Sequence, residues 1–126
     1  MTASELILVD SSGWIEYMGE GPKEGEFGRF IESGSATLLP TIVIYEVYKK
    51  LWATGRKTVG ERFVSHALRQ LVVPLDERLA LTAAQISAEQ KLHMADAIIY
   101  ATAQSFSAHL ITSDQAFQGL PGVTVV

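Results

Sequence analysis

The sequence predicts an α/β sandwich, a central and mainly parallel sheet flanked by helices. Three observations predict it. Short apolar runs of strand length alternate with longer segments of helical length. The first run, Leu6-Ile7-Leu8-Val9, is continuously apolar, as strands buried on both faces of a parallel sheet are. Two runs lead into an aspartate, Asp10 and Asp114, at the carboxyl ends of strands where open parallel sheets bind their ligands.

The elements follow in order. Leu6 to Val9 is the first strand, and Trp14 to Met18 a short helix after Ser11-Ser12-Gly13. Gly19 to Gly28 holds four glycines, a proline and three glutamates and reads as a mobile loop. A brief helix then ends near Gly34, and Ala36 to Leu39 is a second strand closed by Pro40. Thr41 is expected to cap a helix that runs to about Thr54, where Gly55 stops it. Val59 to Gln70 is the next helix, and Leu71 to Leu75 a third strand whose Pro74 marks an edge or a strand end. Asp76 caps a helix running to Gln90, and Met94 to Phe106 forms another. The strand Leu110 to Thr112, a short turn from Asp114 to Phe117 and a last strand from Val123 to Val126 complete the chain.

A length of 126 residues suits one domain covering 1–126, and an apolar fraction of 48% supports a folded core. The net charge of −4 is opposite to that of a basic nucleic-acid binder, although local patches, not totals, steer ligands. Cysteine is absent, which removes disulfides, thiolate nucleophiles and Cys-based zinc sites together. Met1 to Glu5 has no cationic region, and the apolar run after it is too short for a signal peptide or a membrane span. The expectation is a soluble, cytoplasmic protein with no membrane contact.

Four carboxylates stand out. Asp10 and Asp114 close strands, and each reads either as a helix N-cap or as part of a site, roles that are compatible. Glu46 is the lone charge in Thr41-Ile42-Val43-Ile44-Tyr45-Glu46-Val47-Tyr48, and Asp96 the lone charge in Met94 to Ala101. Helices this apolar are largely buried, and buried carboxylates need partners. Glu46 has an alternative in an i,i+4 pair with Lys50, and Asp96 in the dipole of its own helix. If the four converge they repel, by about 4 kcal/mol for a pair ~4 Å apart at an effective dielectric of roughly 20. A cation, bound protons or basic side chains must then compensate. Oxygen ligands without Cys or paired His point to Mg²⁺ or Mn²⁺, the ions of phosphodiester chemistry.

With these residues in place the chain resembles PIN domains, and among them the VapC-type toxins of toxin–antitoxin pairs. The matching pieces are Val9-Asp10-Ser11-Ser12, Tyr45-Glu46-Val47, Asp96-Ala97-Ile98-Ile99-Tyr100-Ala101-Thr102-Ala103 and Thr112-Ser113-Asp114 before Phe117. Their order and spacing match across nearly the whole chain. The resemblance implies a PIN-like three-layer fold and a Mg²⁺- or Mn²⁺-dependent endoribonuclease that cuts single-stranded or loop RNA, such as tRNA or another structured RNA. It also implies a homodimer, and a VapB-type antitoxin that covers the active site in a heterotetramer or larger assembly. Asp10, Glu46, Asp96 and Asp114 carry over as metal ligands or holders of ligand waters, with Ser11 and Thr112 as hydroxyls that orient them. Asp10 and Asp96 are expected to be the direct ligands. One departure is that Gln115 and Ala116 stand where many relatives place a further acidic residue, so the number of metals, one or two, stays open.

Half of the ten cations fall in one segment, as Lys49, Lys50, Arg56, Lys57 and Arg62. This stretch, Lys49, Lys50, Arg56 and Lys57 above all, reads either as a guide for the RNA backbone or as a solvated face. Tyr45, Tyr48 and Trp52 read as core or interface in preference to base stacking, and Trp14 and Tyr17 as an antitoxin or dimer surface. His66, His93 and His109 lack metal-ligand spacing. The loop from Gly19 lacks the Gly-Lys-Ser/Thr ending of a phosphate cradle. Three other readings compete. A phospho-acceptor domain needs an acidic pair closing the first strand, where Asp10 is followed by Ser11. The others are a catalytically silent PIN-like binding module and a housekeeping RNA-processing nuclease without an antitoxin.

Overall fold

The computed structural model describes residues 6–126; the expectation drawn from Met1 to Glu5 lies outside the described residues. The chain forms β1 (Ile7–Val9), α1 (Ser11–Met18), α2 (Glu24–Ile31), β2 (Leu38–Pro40), α3 (Thr41–Ala53) and α4 (Lys57–Ala67). There follow β3 (Leu71–Val73), α5 (Glu77–Gln90), α6 (Met94–Ser105), β4 (His109–Thr112), a 3-10 turn (Gln115–Phe117) and β5 (Val123–Val125). It is the expected three-layer α/β arrangement.

All the strand pairings are parallel: β1 with β4, β4 with β5, and β2 with β3. A single parallel bridge between Ile7 and Thr37, with the Ile7 amide donating to the Ala36 carbonyl at 3.0 Å, joins the two sets. The sheet order is therefore β3-β2-β1-β4-β5. The chain winds outward on one side of β1 and then returns to the other, so the order reverses between β1 and β4. Sheets of this kind bind ligands at that reversal, outside the carboxyl ends of the strands.

Ile7, Leu8 and Val9 are fully buried, as are Leu110 and Ile111 beside them, so both faces of the central strands lie under helices. Trp14, Phe27, Phe63 and Phe117 are the largest side chains in the same core. Among the described residues no helix is long and apolar enough to cross a membrane.

Four expectations are corrected. Trp14, expected at an antitoxin or dimer surface, is fully buried and packs against Phe63 and His66. The segment Gly19 to Gly28 is not all loop, because α2 begins at Glu24. Phe27 is fully buried beneath this helix, and Glu24 and Glu26 lie in its first turn, where the helix dipole favours them. Burial of one aromatic face outweighs the two glycines that the helix contains. Thr41 is the first helical residue and not the cap; Pro40 holds that position, its extended backbone leading straight from strand to helix. The helix expected from Trp14 starts earlier, at Ser11, because Asp10 already supplies its cap.

Gly13 is the tightest point of this packing. A Cβ there would stand 2.5 Å from Val9 Cγ1 and 2.6 Å from the Phe27 ring, whereas one at Gly25 would meet nothing within 4 Å. Gly13→Ala should therefore lower stability by about 1–3 kcal/mol through overpacking, despite the better helix propensity of alanine. Gly25→Ala should raise it by about 0.5–1 kcal/mol. Urea melts of the two variants beside wild type check both; equal shifts of the same sign would overturn the packing assigned to Gly13.

Candidate active site

The site starts from Asp10, which leaves β1 and caps α1. Its two carboxylate oxygens are both engaged: Oδ1 accepts the Ser11 amide at 2.7 Å, and Oδ2 accepts the Thr112 hydroxyl at 2.7 Å. Thr112 is the last residue of β4, brought alongside by a register that pairs Val9 with Ile111. The Asp10 amide donates to the Ile111 carbonyl at 2.9 Å and continues that ladder beyond the strand. Thr112 Oγ1 also accepts the amide of Asp114 at 3.0 Å, and Asp114 Oδ1 accepts the Ala116 amide at 2.9 Å as the cap of the 3-10 turn. Capping and site membership thus coincide at both aspartates.

Two helices bring the other carboxylates. Glu46 lies on α3, in its second turn after β2, and its Oε1 accepts the hydroxyl of Ser11. Asp96 lies in the first turn of α6. Both side chains are half-buried, neither in the core nor free in solvent.

The electrostatics tie the four together. Burial pushes the Asp10 carboxyl above the ordinary aspartate range; the Thr112 and Ser11 hydrogen bonds oppose this, and the charges of Glu46 and Asp114 add to it. Asp96 is pushed up to about 6, first by burial and then by the charges of Asp114, Asp10 and Glu46, with Asp114 in reach to share the proton. Asp10 feels two of the other carboxylates and Asp96 feels all three. They form one cluster of unbalanced negative charge at the reversal point of the sheet.

The donor set is oxygen throughout, which suits a hard divalent cation. Yet among the described residues no three His, Cys, Asp or Glu side chains stand close enough together to enclose an ion. The cluster fits such a cation in donor type and in uncompensated charge, and the side chains must draw in to hold it.

The cations expected to guide a substrate are not all equivalent. Lys49, Lys50 and Lys57 are exposed. Arg56 turns back toward the carboxyl end of α1, where its guanidinium fills the space beside Gly19, and its Nε donates to Thr54 Oγ1 at 3.1 Å. His93 is exposed at the start of α6. Two serines not singled out from the sequence join the rim: Ser113 Oγ and Ser12 Oγ are 3.2 Å apart, which links the β4 and β1 ends once more. Their signal was the pairing of Asp-Ser-Ser with Thr-Ser-Asp after two buried strands.

A PIN-domain family model matches residues 7–123. The chain belongs to the PIN-domain family. Solved structures similar to this PIN domain include a toxin–antitoxin complex from Klebsiella pneumoniae, at 25% identity and a TM-score of 0.77 over 94% of this chain and 96% of that one. VapC20 from Mycobacterium tuberculosis, described as a sarcin–ricin loop cleaving toxin, has 17% identity and a TM-score of 0.79 over 94% and 98%. DNA-bound VapBC from Salmonella typhimurium has 17% identity and a TM-score of 0.74 over 98% and 97%. No curated protein sequence matches the chain significantly.

Two outcomes follow from the PIN-domain site. Thr112→Val leaves buried Asp10 without its hydroxyl donor and should cost about 1–3 kcal/mol in urea melts; an unchanged midpoint would show that this hydrogen bond carries no weight. In metal-free protein, Asp96 holds a proton to higher pH when folded than when unfolded. Its protonated state therefore favours folding at low pH, and that contribution is lost as pH rises from about 3.8 to about 6. Asp96→Asn should gain stability relative to wild type across that window, and parallel pH profiles would refute the shift.

Proposed function

We propose that this PIN domain is a Mg²⁺- or Mn²⁺-dependent endoribonuclease, cleaving single-stranded or loop RNA such as tRNA, and that it serves as the toxin of a toxin–antitoxin pair. The observation that carries the reading is the cluster of Asp10, Glu46, Asp96 and Asp114 at the point where the sheet order reverses, with Asp96 raised to about 6 by burial and by its three neighbours.

Asp10 is the fixed member, held at both oxygens, and Ser11 orients Glu46 toward it. Thr112 sets Asp10 and Asp114 at once, through its hydroxyl hydrogen and its lone pairs. A divalent cation bound here supplies neutralisation of charge on the scissile phosphate and activation of the attacking water. Asp10 and Asp96 would hold it directly, and Glu46 and Asp114 would position water. No histidine is required as base, in keeping with His93 exposed at the rim. Lys49, Lys50 and Lys57 would attract the phosphate backbone, a role in which Arg56 is hampered by its contact at Gly19.

The toxin role is supported by similarity to the Klebsiella pneumoniae toxin–antitoxin complex, at 25% identity over nearly the whole chain. On this reading the protein works in the cytoplasm as a homodimer. A VapB-type antitoxin covers the carboxylate cluster in a heterotetramer or larger assembly. A catalytically silent binding module is favoured by one observation, that no three acidic side chains among the described residues enclose an ion.

Incubation of antitoxin-free protein with total RNA separates the two. Discrete cleavage in Mg²⁺ or Mn²⁺, abolished by chelator and reduced at least a hundredfold in Asp10→Ala, is expected. Absence of both cleavage and metal binding in folded protein would leave the silent module.

A further inference from the structure

The outer face of α3 is aromatic as well as cationic, and both kinds of side chain point outward. Tyr45, Lys49 and Trp52 follow at i, i+4 and i+7, along one stripe of the helix. Tyr45 is 59% exposed and Trp52 47%, so of the core or interface role expected for these two rings the core is excluded. Lys49 Nζ lies 5.5 Å from the Tyr45 ring centroid, and Lys57 Nζ, from the first turn of α4, lies 4.2 Å from that of Trp52. Tyr48, half-buried against α4, supports the indole with its ring 5.6 Å away. The stripe begins at the residue before Glu46 and runs about 10 Å along the helix.

We propose that Tyr45, Lys49, Trp52 and Lys57 form a stacking track for single-stranded RNA leading to the carboxylate cluster, with bases on the two rings and phosphates on the two lysines. This rests on the nuclease reading of that cluster. Exposed aromatics interleaved with cations suit a single strand, because every base offers a face to stack while the cations follow the backbone. In a duplex the bases are already stacked on one another. Charge points the same way. In a chain of net charge −4, five of ten cations fall between residues 49 and 62, and a polyanion is their natural complement.

A second copy of the chain is the poorer occupant. A twofold contact across this face would set Lys49, Lys50 and Lys57 of each copy against those of the other, and interface cores are depleted in lysine. In the free protein the two lysines cover the rings. Exposed cation–π pairs are weaker than base stacking, so arriving RNA displaces the lysines onto its phosphates.

The two tryptophans provide the readout. Trp14 is fully buried and Trp52 exposed, so quenching by an added strand reports Trp52. A 12-nucleotide single-stranded RNA of mixed A and U, added to the full chain in chelator, is expected to quench the fluorescence, and the same RNA annealed to its complement is not. Trp52→Leu should abolish the quench, and Trp52→Leu and Tyr45→Leu should each weaken binding about tenfold, while Trp52→Phe restores most of the affinity. Lys49→Ala and Lys57→Ala should each lower the slope of log K against log salt by about 0.7. Unchanged affinity in both leucine variants would overturn the track. So would sedimentation showing that Trp52→Leu splits a dimer while RNA binding stays intact; the face would then join copies of the chain. Metal-dependent cleavage that is indifferent to the two leucine and the two alanine substitutions removes the track and leaves the nuclease. Trp52 quenching without cleavage in either metal leaves the track and removes the nuclease.

Discussion

The parallel pairing of β1 with β4 is the constraint on which the rest depends. It aligns Val9 with Ile111 and so sets Asp10 beside Thr112, residues far apart in the chain, within one hydrogen bond of 2.7 Å. Side chains alternate between the two faces of a strand, so a slip of one residue would send Thr112 to the opposite face. Such a slip would release Asp10 from its hydroxyl donor and carry Asp114, which is tied locally to Thr112, out of register with it. The continuously apolar strands give no alternation with which to fix the register. The hydrogen bonds at the strand ends, with the packing of Trp14, Phe27 and Phe117, supply what the strand sequence lacks.

This arrangement sets an electrostatic load against a packed core. Asp10 is almost wholly buried, and its carboxylate would be untenable without the Ser11 amide and the Thr112 hydroxyl. The neighbouring carboxylates then add repulsion that none of these donors cancels. Fully buried residues on β1 and β4, and Gly13 pressed onto Val9 and Phe27, prevent the backbone from spreading to relieve it. The relief has to come from compensating charge, as protons, a bound cation or basic side chains. A scaffold that cannot yield keeps its charge in place for a ligand.

Much of this was legible in the sequence because two requirements fell on the same residues. Asp10 and Asp114 satisfy the cap of a following turn and the edge of a sheet at once, so choosing between the two readings was unnecessary. Glu46 and Asp96 were visible as isolated charges in apolar helices. The degree of their burial was not, since it depends on how far α3 and α6 overhang the sheet. The helix at Glu24–Ile31 was hidden by its glycines, because the anchoring contact of Phe27 is tertiary and leaves no periodic mark in eight residues. The outward turn of Tyr45 and Trp52 was hidden for a related reason: a helix with apolar residues around most of its circumference does not declare which side meets the sheet. Side-chain closure around an ion depends on rotamers, which sequence spacing does not encode.

The distance along the chain between the two halves of the Asp10–Thr112 hydrogen bond also has a meaning in time. Translation at about 5–20 residues per second separates the emergence of β1 from that of β4 by roughly 5–20 s. During that interval β1 has no partner on the side where the site forms, and Asp10 has no hydroxyl donor. The carboxylate cluster comes into existence only once β4 has been made. A nascent chain that has not yet released β4 therefore lacks the organised centre, and whatever chemistry the folded protein performs waits on that strand.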